Sequence, residues 1–163
     1  MTTETHVVEL TSEAQWRAIH PVMSQLRPLD VETFLDHVRV MAGEGYRLFG
    51  LYEGSGDDGG DGGGERVDVA DPVALAGVRL STTLYHGRHA WVYDLVTRED
   101  RRSEGHGAEL LAFVEEWARD HDCAVVELAS GLWRDDAHRF YEEHVDYERY
   151  CYTFKKDLAE GGE

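Results

Sequence analysis

Apolar and polar positions alternate over residues 6–10 (HVVEL), the two-residue period of a strand with one buried face. Ser12 follows as a helix N-cap, and the helix that it opens is expected over 13–20, with Pro21 as its stop. From 31 to 42 the period lengthens. Phe34, Leu35, Val38 and Met41 recur at helical spacing behind Asp30 as N-cap, and Gly43 and Gly45 end the run. Residues 46–52 (YRLFGLY) read as a second strand, 72–84 (PVALAGVRLSTTL) as a third and 89–97 (HAWVYDLVT) as a fourth. Tyr85, His86, Gly87 and Arg88 make the hairpin turn between the last two. An amphipathic helix is expected over 104–119, where Leu110, Leu111, Val114 and Trp117 share a face. A short buried strand at 124–129 (AVVELA), a short helix at 136–143 and a last strand at 147–154 complete the order β-α-α-β-β-β-α-β-α-β. This order predicts an α/β fold, a mixed sheet with helices against both faces. One domain spanning 1–163, without an internal repeat, is expected.

The run from Gly54 to Gly64 (GSGDDGGDGGG) breaks the pattern. It has no apolar surface to bury, and glycine maximises its chain entropy. No Lys-Ser/Thr follows the glycines and no glutamate closes a calcium loop, so the run is expected to be a flexible acidic hairpin extension over about 54–66. Closure entropy grows only logarithmically with loop length, so such an insertion costs little.

Composition changes the picture through charge. The chain has 33 acidic residues against 16 basic ones, a formal charge of −17, and only Lys155 and Lys156 among the basic residues are lysines. With no basic face, nucleic acid is not an expected partner. The acids are dispersed rather than gathered in a tail, and arginine far outnumbers lysine. This favours a halophilic, acidic protein whose self-repulsion is screened in molar salt; attraction of cationic substrates is the competing reading. No apolar run reaches the ~20 residues of a membrane span. The first residues show no basic segment followed by an apolar one, so a cytoplasmic protein is expected. Cys123 and Cys151 are read as reduced, packed thiols, and the scattered histidines do not suggest a metal site.

The chemistry is concentrated in the segment from Asp94 through Leu95, Val96 and Thr97 to Arg102, Ser103, Glu104, Gly105, His106, Gly107 and Ala108. A strand ends, a turn follows, and two glycines open a long helix. Backbone without Cβ atoms admits close approach by a ligand, and a helix start presents unpaired N–H groups at a positive dipole end. That combination suits a diphosphate. A Rossmann fingerprint would follow the first strand and carry a third glycine, whereas Leu110 stands three residues after Gly107. The Gly-Lys-Ser/Thr of a P-loop is missing too.

Arg102-Ser103-Glu104-Gly105-His106-Gly107 resembles the central Arg/Gln-x-x-Gly-x-Gly/Ala motif of the GNAT superfamily of N-acetyltransferases. Ala137-His138-Arg139-Phe140-Tyr141 resembles that family's Ala-x-x-Phe-Tyr segment. The resemblance extends over roughly residues 5–155. It implies acetyl transfer from acetyl-CoA to an amine, on a sheet of about six to seven strands whose two central parallel strands splay apart. Leu95, Val96 and Thr97 would then contact the pantetheine arm, with an amide near Val96 polarising the thioester. Arg102 and the backbone from Ser103 to Ala108 would hold the diphosphate. Tyr141 would protonate the leaving thiolate, and Asp94 is the candidate base for the amine. Trp91 and Tyr93 are candidates for lining the acceptor pocket. Dimerisation, common in the family through the last strand, is possible here.

Four positions depart from the family pattern. Glu104 stands where Lys or Arg is frequent, Asp146-Tyr147 replaces Gly-Phe, and Arg134 occupies a position where many relatives have Asn. The run from Arg134 to Tyr141 loosely resembles small-amine acetyltransferases, aminoalkylphosphonate types among them. The resemblance leaves three functions open: acetylation of a small-molecule amine, acetylation of a protein N-terminus or lysine, and a non-catalytic acyl-CoA-binding module.

Overall fold

The computed structural model describes residues 4–54 and 71–159. Apart from Gly54, the glycine-rich extension expected at 54–66 lies outside the described residues. The chain forms two compact units, Met1–Leu128 and Ala129–Glu163.

In the first unit a five-stranded sheet follows chain order: β1 (Thr5–Glu9), β2 (Tyr46–Glu53), β3 (Ala74–Thr83), β4 (Gly87–Thr97) and β5 (Val125–Leu128). The first three pairings are antiparallel and β4–β5 is parallel. The fold is therefore the mixed α/β arrangement that the sequence predicts. Helix α1 (Glu13–Met23) begins with a reciprocal capping box between Ser12 and Gln15, and α2 (Val31–Gly43) is capped by the Asp30 side chain. Pro21 does not stop α1 as expected but lies inside it. It falls in the last turn, where its missing N–H costs one bond, to the carbonyl of the exposed Arg17.

Strand alternation divides the core between two helical layers. Leu48 joins Leu35, Val38, Ile19 and Trp16 in the cluster under α1 and α2. The next residue, Phe49, points the other way and meets Phe113 and Trp117 of α3 (His106–Asp120) edge-on at 5.2 and 5.3 Å. Leu110, Leu111 and Val114 of α3 are fully buried, so this helix closes its face of the sheet with the apolar stripe read from the sequence.

Two irregularities in β4 prepare the site. Gly77 pairs with Asp94 but its neighbour Val78 pairs with Val92, which leaves Tyr93 as an extra, bulged residue. The ladder to β5 covers only His89 to Val92, whereas β4 runs on to Thr97 beside β3. Beyond Val92 the edge of β4 is open in this unit. The ladder ends there because β5 ends at Leu128.

In the second unit, α4 (Asp135–Arg139) continues into a π-helical turn, Phe140–His144. The last strand expected at 147–154 is not formed, and among the described residues the sheet has five strands instead of six or seven. Tyr150, Tyr152 and Phe154 supply a β-like alternation, but they are exposed. Alternation alone does not make a strand, because the backbone groups also need a neighbouring strand to bond.

Candidate active site

The bulge in β4 is tied down by a buried polar cluster around Asp94. The Tyr46 hydroxyl donates to Asp94 Oδ2 at 2.6 Å, and Arg27 Nε donates to Oδ1 at 2.8 Å. Arg27 Nη2 also donates to the carbonyl of the bulged Tyr93 at 2.9 Å. The segment between α1 and α2 is thus fastened to the bulge through one arginine. Burial, followed by the Asp94 charge, pushes the Tyr46 phenol well above its ordinary value, so the phenol stays protonated and donates. Gly77 makes room for it: a Cβ there would lie 1.8 Å from the Tyr46 hydroxyl oxygen. Each Asp94 oxygen accepts one of these hydrogen bonds, which holds the side chain in place.

Along the open edge, alternation decides which backbone groups are presented. Arg98 donates its N–H to Val73 O at 2.8 Å, so the groups of Val96 face β3 as well and those of Leu95 and Thr97 face the open side. Gln25 marks that side. Its Nε2 donates to Thr97 O at 3.1 Å and its Oε1 accepts from the Glu99 N–H at 3.1 Å. Of the three β4 residues expected to contact the pantetheine arm, Leu95 and Thr97 direct main-chain groups to the open edge. Val96 instead buries its side chain under α1 and α2.

After β4, a 3₁₀ turn (Glu99–Arg101) leads to α3. Arg101 is clamped by two carboxylates, with Nη1 and Nη2 on Glu53 at 2.6 and 2.5 Å and Nη2 on Glu104 at 2.9 Å. This explains how an acid is tolerated at position 104. Its hydrogen bond to Arg101 lowers the Glu104 carboxyl below the ordinary range, and the partner takes up its charge. Arg102 is exposed and makes no ion pair or hydrogen bond among the described residues.

Ser103 and Gly105 both have left-handed backbone, with φ of 67° and 86°. Gly105 is the N-cap of α3 and accepts the Glu109 N–H at 3.0 Å, so the helix starts two residues later than the pattern suggested. No side chain caps this start, and a Cβ built on Gly105 would meet nothing within 4 Å. The first amides of α3, at His106, Gly107 and Ala108, precede any intrahelical partner. His106 is buried beside them. Its Nε2 lies 3.2 Å from Glu104 Oε1, while its buried Nδ1 has no partner among the described residues. An uncapped helix start, an orphaned ring nitrogen and the unengaged Arg102 guanidinium fit an anionic group such as a diphosphate.

Tyr141 belongs to the second unit, at the start of the π-helical turn. Burial raises its phenol above the ordinary value, against the opposing charge of Arg134. Phe140 and Tyr147 flank its ring at 5.3 and 6.2 Å, and Tyr147 donates its N–H to Tyr141 O at 2.7 Å. On β4, Trp91 is half-buried and Tyr93 exposed, with ring centroids 6.0 Å apart.

Sequence reasoning missed Arg27, Tyr46 and Gly77, none of which lies in a motif. The available signal was a glycine inside an apolar strand, which marks close approach by another group. Among the described residues no three or more His, Cys, Asp or Glu side chains are arranged to hold a metal ion, and no helix is long and apolar enough to cross a membrane.

A mixed sheet with an open edge on β4 beside a bulge, followed by an uncapped glycine helix start, makes a site that fits an extended chain ending in an anionic group. Comparison with known proteins narrows the class. Residues 44–147 match the sequence model of the Acetyltransferase (GNAT) family. The chain is 37% identical over 155 residues to "Uncharacterized N-acetyltransferase YhdJ" of Bacillus subtilis, covering 94% of this chain and 99% of that protein. It is 36% identical over 89 residues to an aminoalkylphosphonate N-acetyltransferase of Salmonella typhimurium, covering 53% and 56%. Among solved structures, an aminoglycoside N-acetyltransferase AAC(6')-Iy in complex with CoA superposes with a TM-score of 0.72 at 11% identity, over 98% of each chain. A GNAT family acetyltransferase of Staphylococcus aureus gives 0.68 at 17%, over 97% and 100%. The chain belongs to the GNAT superfamily of N-acetyltransferases and is an acyltransferase.

Proposed function

We propose that the chain transfers the acetyl group of acetyl-CoA to the primary amine of a small molecule, by direct attack of the amine on the thioester. One observation carries this reading: the open edge of β4 leads, through the turn clamped by Arg101, directly to the uncapped start of α3. In this proposal Leu95 and Thr97 pair with the extended pantetheine arm as a neighbouring strand would, and Val96 supports them from the core. Arg102 and the backbone of Ser103, Glu104, Gly105, His106, Gly107 and Ala108 hold the diphosphate.

Acetyl-CoA supplies the activated acyl carbon and a thiolate leaving group. The Leu95 amide polarises the carbonyl from the open edge. Tyr141, kept protonated by burial, gives its proton to the departing thiolate. Asp94 acts by anchoring: through Arg27 it fixes the segment between α1 and α2 against the bulge. Trp91 and Tyr93 line the acceptor side. The Salmonella relative's name supports a small amine, and aminoalkylphosphonates are the first acceptors to try. The dispersed acidic surface supports work in a salty cytoplasm.

The test is thiol release from acetyl-CoA in molar KCl across aminomethylphosphonate, 2-aminoethylphosphonate, simple alkylamines and peptides. Turnover with a small amine supports the proposal. Turnover with peptides alone would transfer the acceptor to proteins, and tight CoA binding without turnover of any amine would leave a binding module.

A further inference from the structure

One carboxylate on the same face of the sheet as Asp94 is unused by this scheme. Glu127 is the single acid of β5 (VVEL) and pairs with Trp91 in the parallel ladder, one residue before the ladder ends. Trp91 pairs with Arg79, two residues beyond Gly77, the partner of Asp94. Register therefore puts Glu127, Trp91 and Asp94 on one face. The Glu127 side chain is only 10% exposed, and burying a carboxylate in an apolar strand is costly unless it is paired. Its partner is His86, from the turn before β4, with Nε2 at 2.5 Å from Oε2 and a side chain 11% exposed. The His86 ring meets buried His89 edge-on at 5.6 Å and Tyr85 at 4.6 Å.

We infer that Glu127 is the site of the acceptor's ammonium group and takes its proton before attack. A partly desolvated carboxylate beside Trp91 has the chemistry of a cation site, because aromatic faces and a carboxylate attract the same charge. Its place one pair before the end of the ladder puts it next to the stretch of β4 whose edge is open in this unit. In the step, one N–H bond of the ammonium breaks and an O–H bond forms on Glu127. The neutral amine keeps the lone pair that attacks, and His86 holds the carboxylate in position and passes the proton onward. This inference rests on the proposed acetyl transfer for its purpose, but not for its test.

The test is calorimetric titration of the full chain with ethylamine and with 2-aminoethylphosphonate, with and without CoA, using 2-hydroxyethylphosphonate as the uncharged-head control. In Glu127→Gln, which keeps size and shape, amine affinity should fall at least tenfold while CoA affinity is unchanged. Glu127→Asp should recover part of the loss, and a cooperative melt checks the fold of each variant. Where the wild type turns over, His86→Gln should lower kcat more than it raises KM. Equal amine affinity in wild type and Glu127→Gln, or binding of neither amine by the wild type, would overturn the inference. Failure of the wild type to bind CoA overturns the proposed acetyl transfer instead, and the titrations without CoA still read the amine site.

Discussion

The hydroxyl of Tyr46 on β2 reaches Asp94 on β4 across the whole width of β3, at 2.6 Å, through the gap left by Gly77. The bulge, the buried carboxylate and the segment between α1 and α2 therefore depend on one missing Cβ. Gly77→Ala should push the Tyr46 ring aside, break this hydrogen bond and destabilise the chain by about 1–3 kcal/mol, as overpacking of a close-packed core usually does. Denaturant unfolding measures it. An unchanged midpoint and slope would mean that the sheet has slack that the geometry does not show.

Much of the fold was legible because the relevant signals are local. Ser12 and Asp30 cap their helices through their own side chains, and the stripe of Leu110, Leu111 and Val114 needs only a helical period. What escaped depends on pairings distant in sequence. Asp94 reads as a candidate base along the chain, and only the arrivals of Arg27, 67 residues away, and Tyr46, 48 away, show the hydrogen bonds that its two oxygens accept. Val96 reads as a contact for the acyl arm along the chain, and only the register shows that its backbone faces β3. Tyr150, Tyr152 and Phe154 carry the alternation of a strand but no ladder. Glu127 had a local signal, a lone acid within AVVELA, yet its partner His86 lies 41 residues upstream.

Asp94→Asn separates anchoring from base catalysis. The amide keeps the size of the side chain but weakens the attraction for Arg27, which leaves the segment between α1 and α2 looser against Tyr93. An anchoring role predicts a higher KM for the amine with kcat reduced less than tenfold. A loss of kcat of a hundredfold or more at unchanged KM would return the role of base to Asp94.

Tyr141→Phe removes the proton proposed for the thiolate and leaves the ring packed between Phe140 and Tyr147. Turnover should fall at least tenfold, about 1.4 kcal/mol of barrier, with CoA affinity unchanged. Steady-state rates and a CoA titration on the same preparation check both halves. An unaltered rate would take Tyr141 out of the mechanism.

Gly107→Glu tests the diphosphate end of the site. The substitution places bulk and negative charge in the first turn of α3, where the amides of His106, Gly107 and Ala108 are proposed to bind an anion. A glutamate is favourable at a helix N-terminus by itself, so the helix should survive. CoA binding should be lost while the melting temperature stays within a few degrees of wild type. Normal CoA affinity in this variant would put the coenzyme elsewhere.

Tyr46 and Tyr141 are both pushed above the ordinary phenol value by burial, so they hold their protons in the folded state at a pH where the unfolded chain has begun to release them. Their contribution to stability is complete below the unfolded value of about 10 and declines as pH rises through the folded values. Melting temperature should fall on the alkaline side beyond that point, and tyrosinate absorbance should lag in the native protein and appear at once on unfolding.

The clamp on Arg101 responds to the opposite side of the pH scale and to salt. Its hydrogen bonds hold the Glu53 and Glu104 carboxyls below their ordinary value of 4.5. The stabilisation is therefore complete above that value and is lost as pH falls through the folded values. The groups are partly exposed, and molar salt shortens the Debye length to ~3 Å, so the charge component of the clamp weakens in brine while the short-range hydrogen bonds survive. Arg101→Gln should accordingly speed amide hydrogen exchange over 99–106 in both low and molar KCl, with the larger change at low salt. CoA affinity should fall with it, because the turn that presents the start of α3 is no longer held to β2. Exchange rates equal to wild type in both salts would show that the turn is fixed by its own backbone, with Glu53 and Glu104 mere neighbours of the arginine.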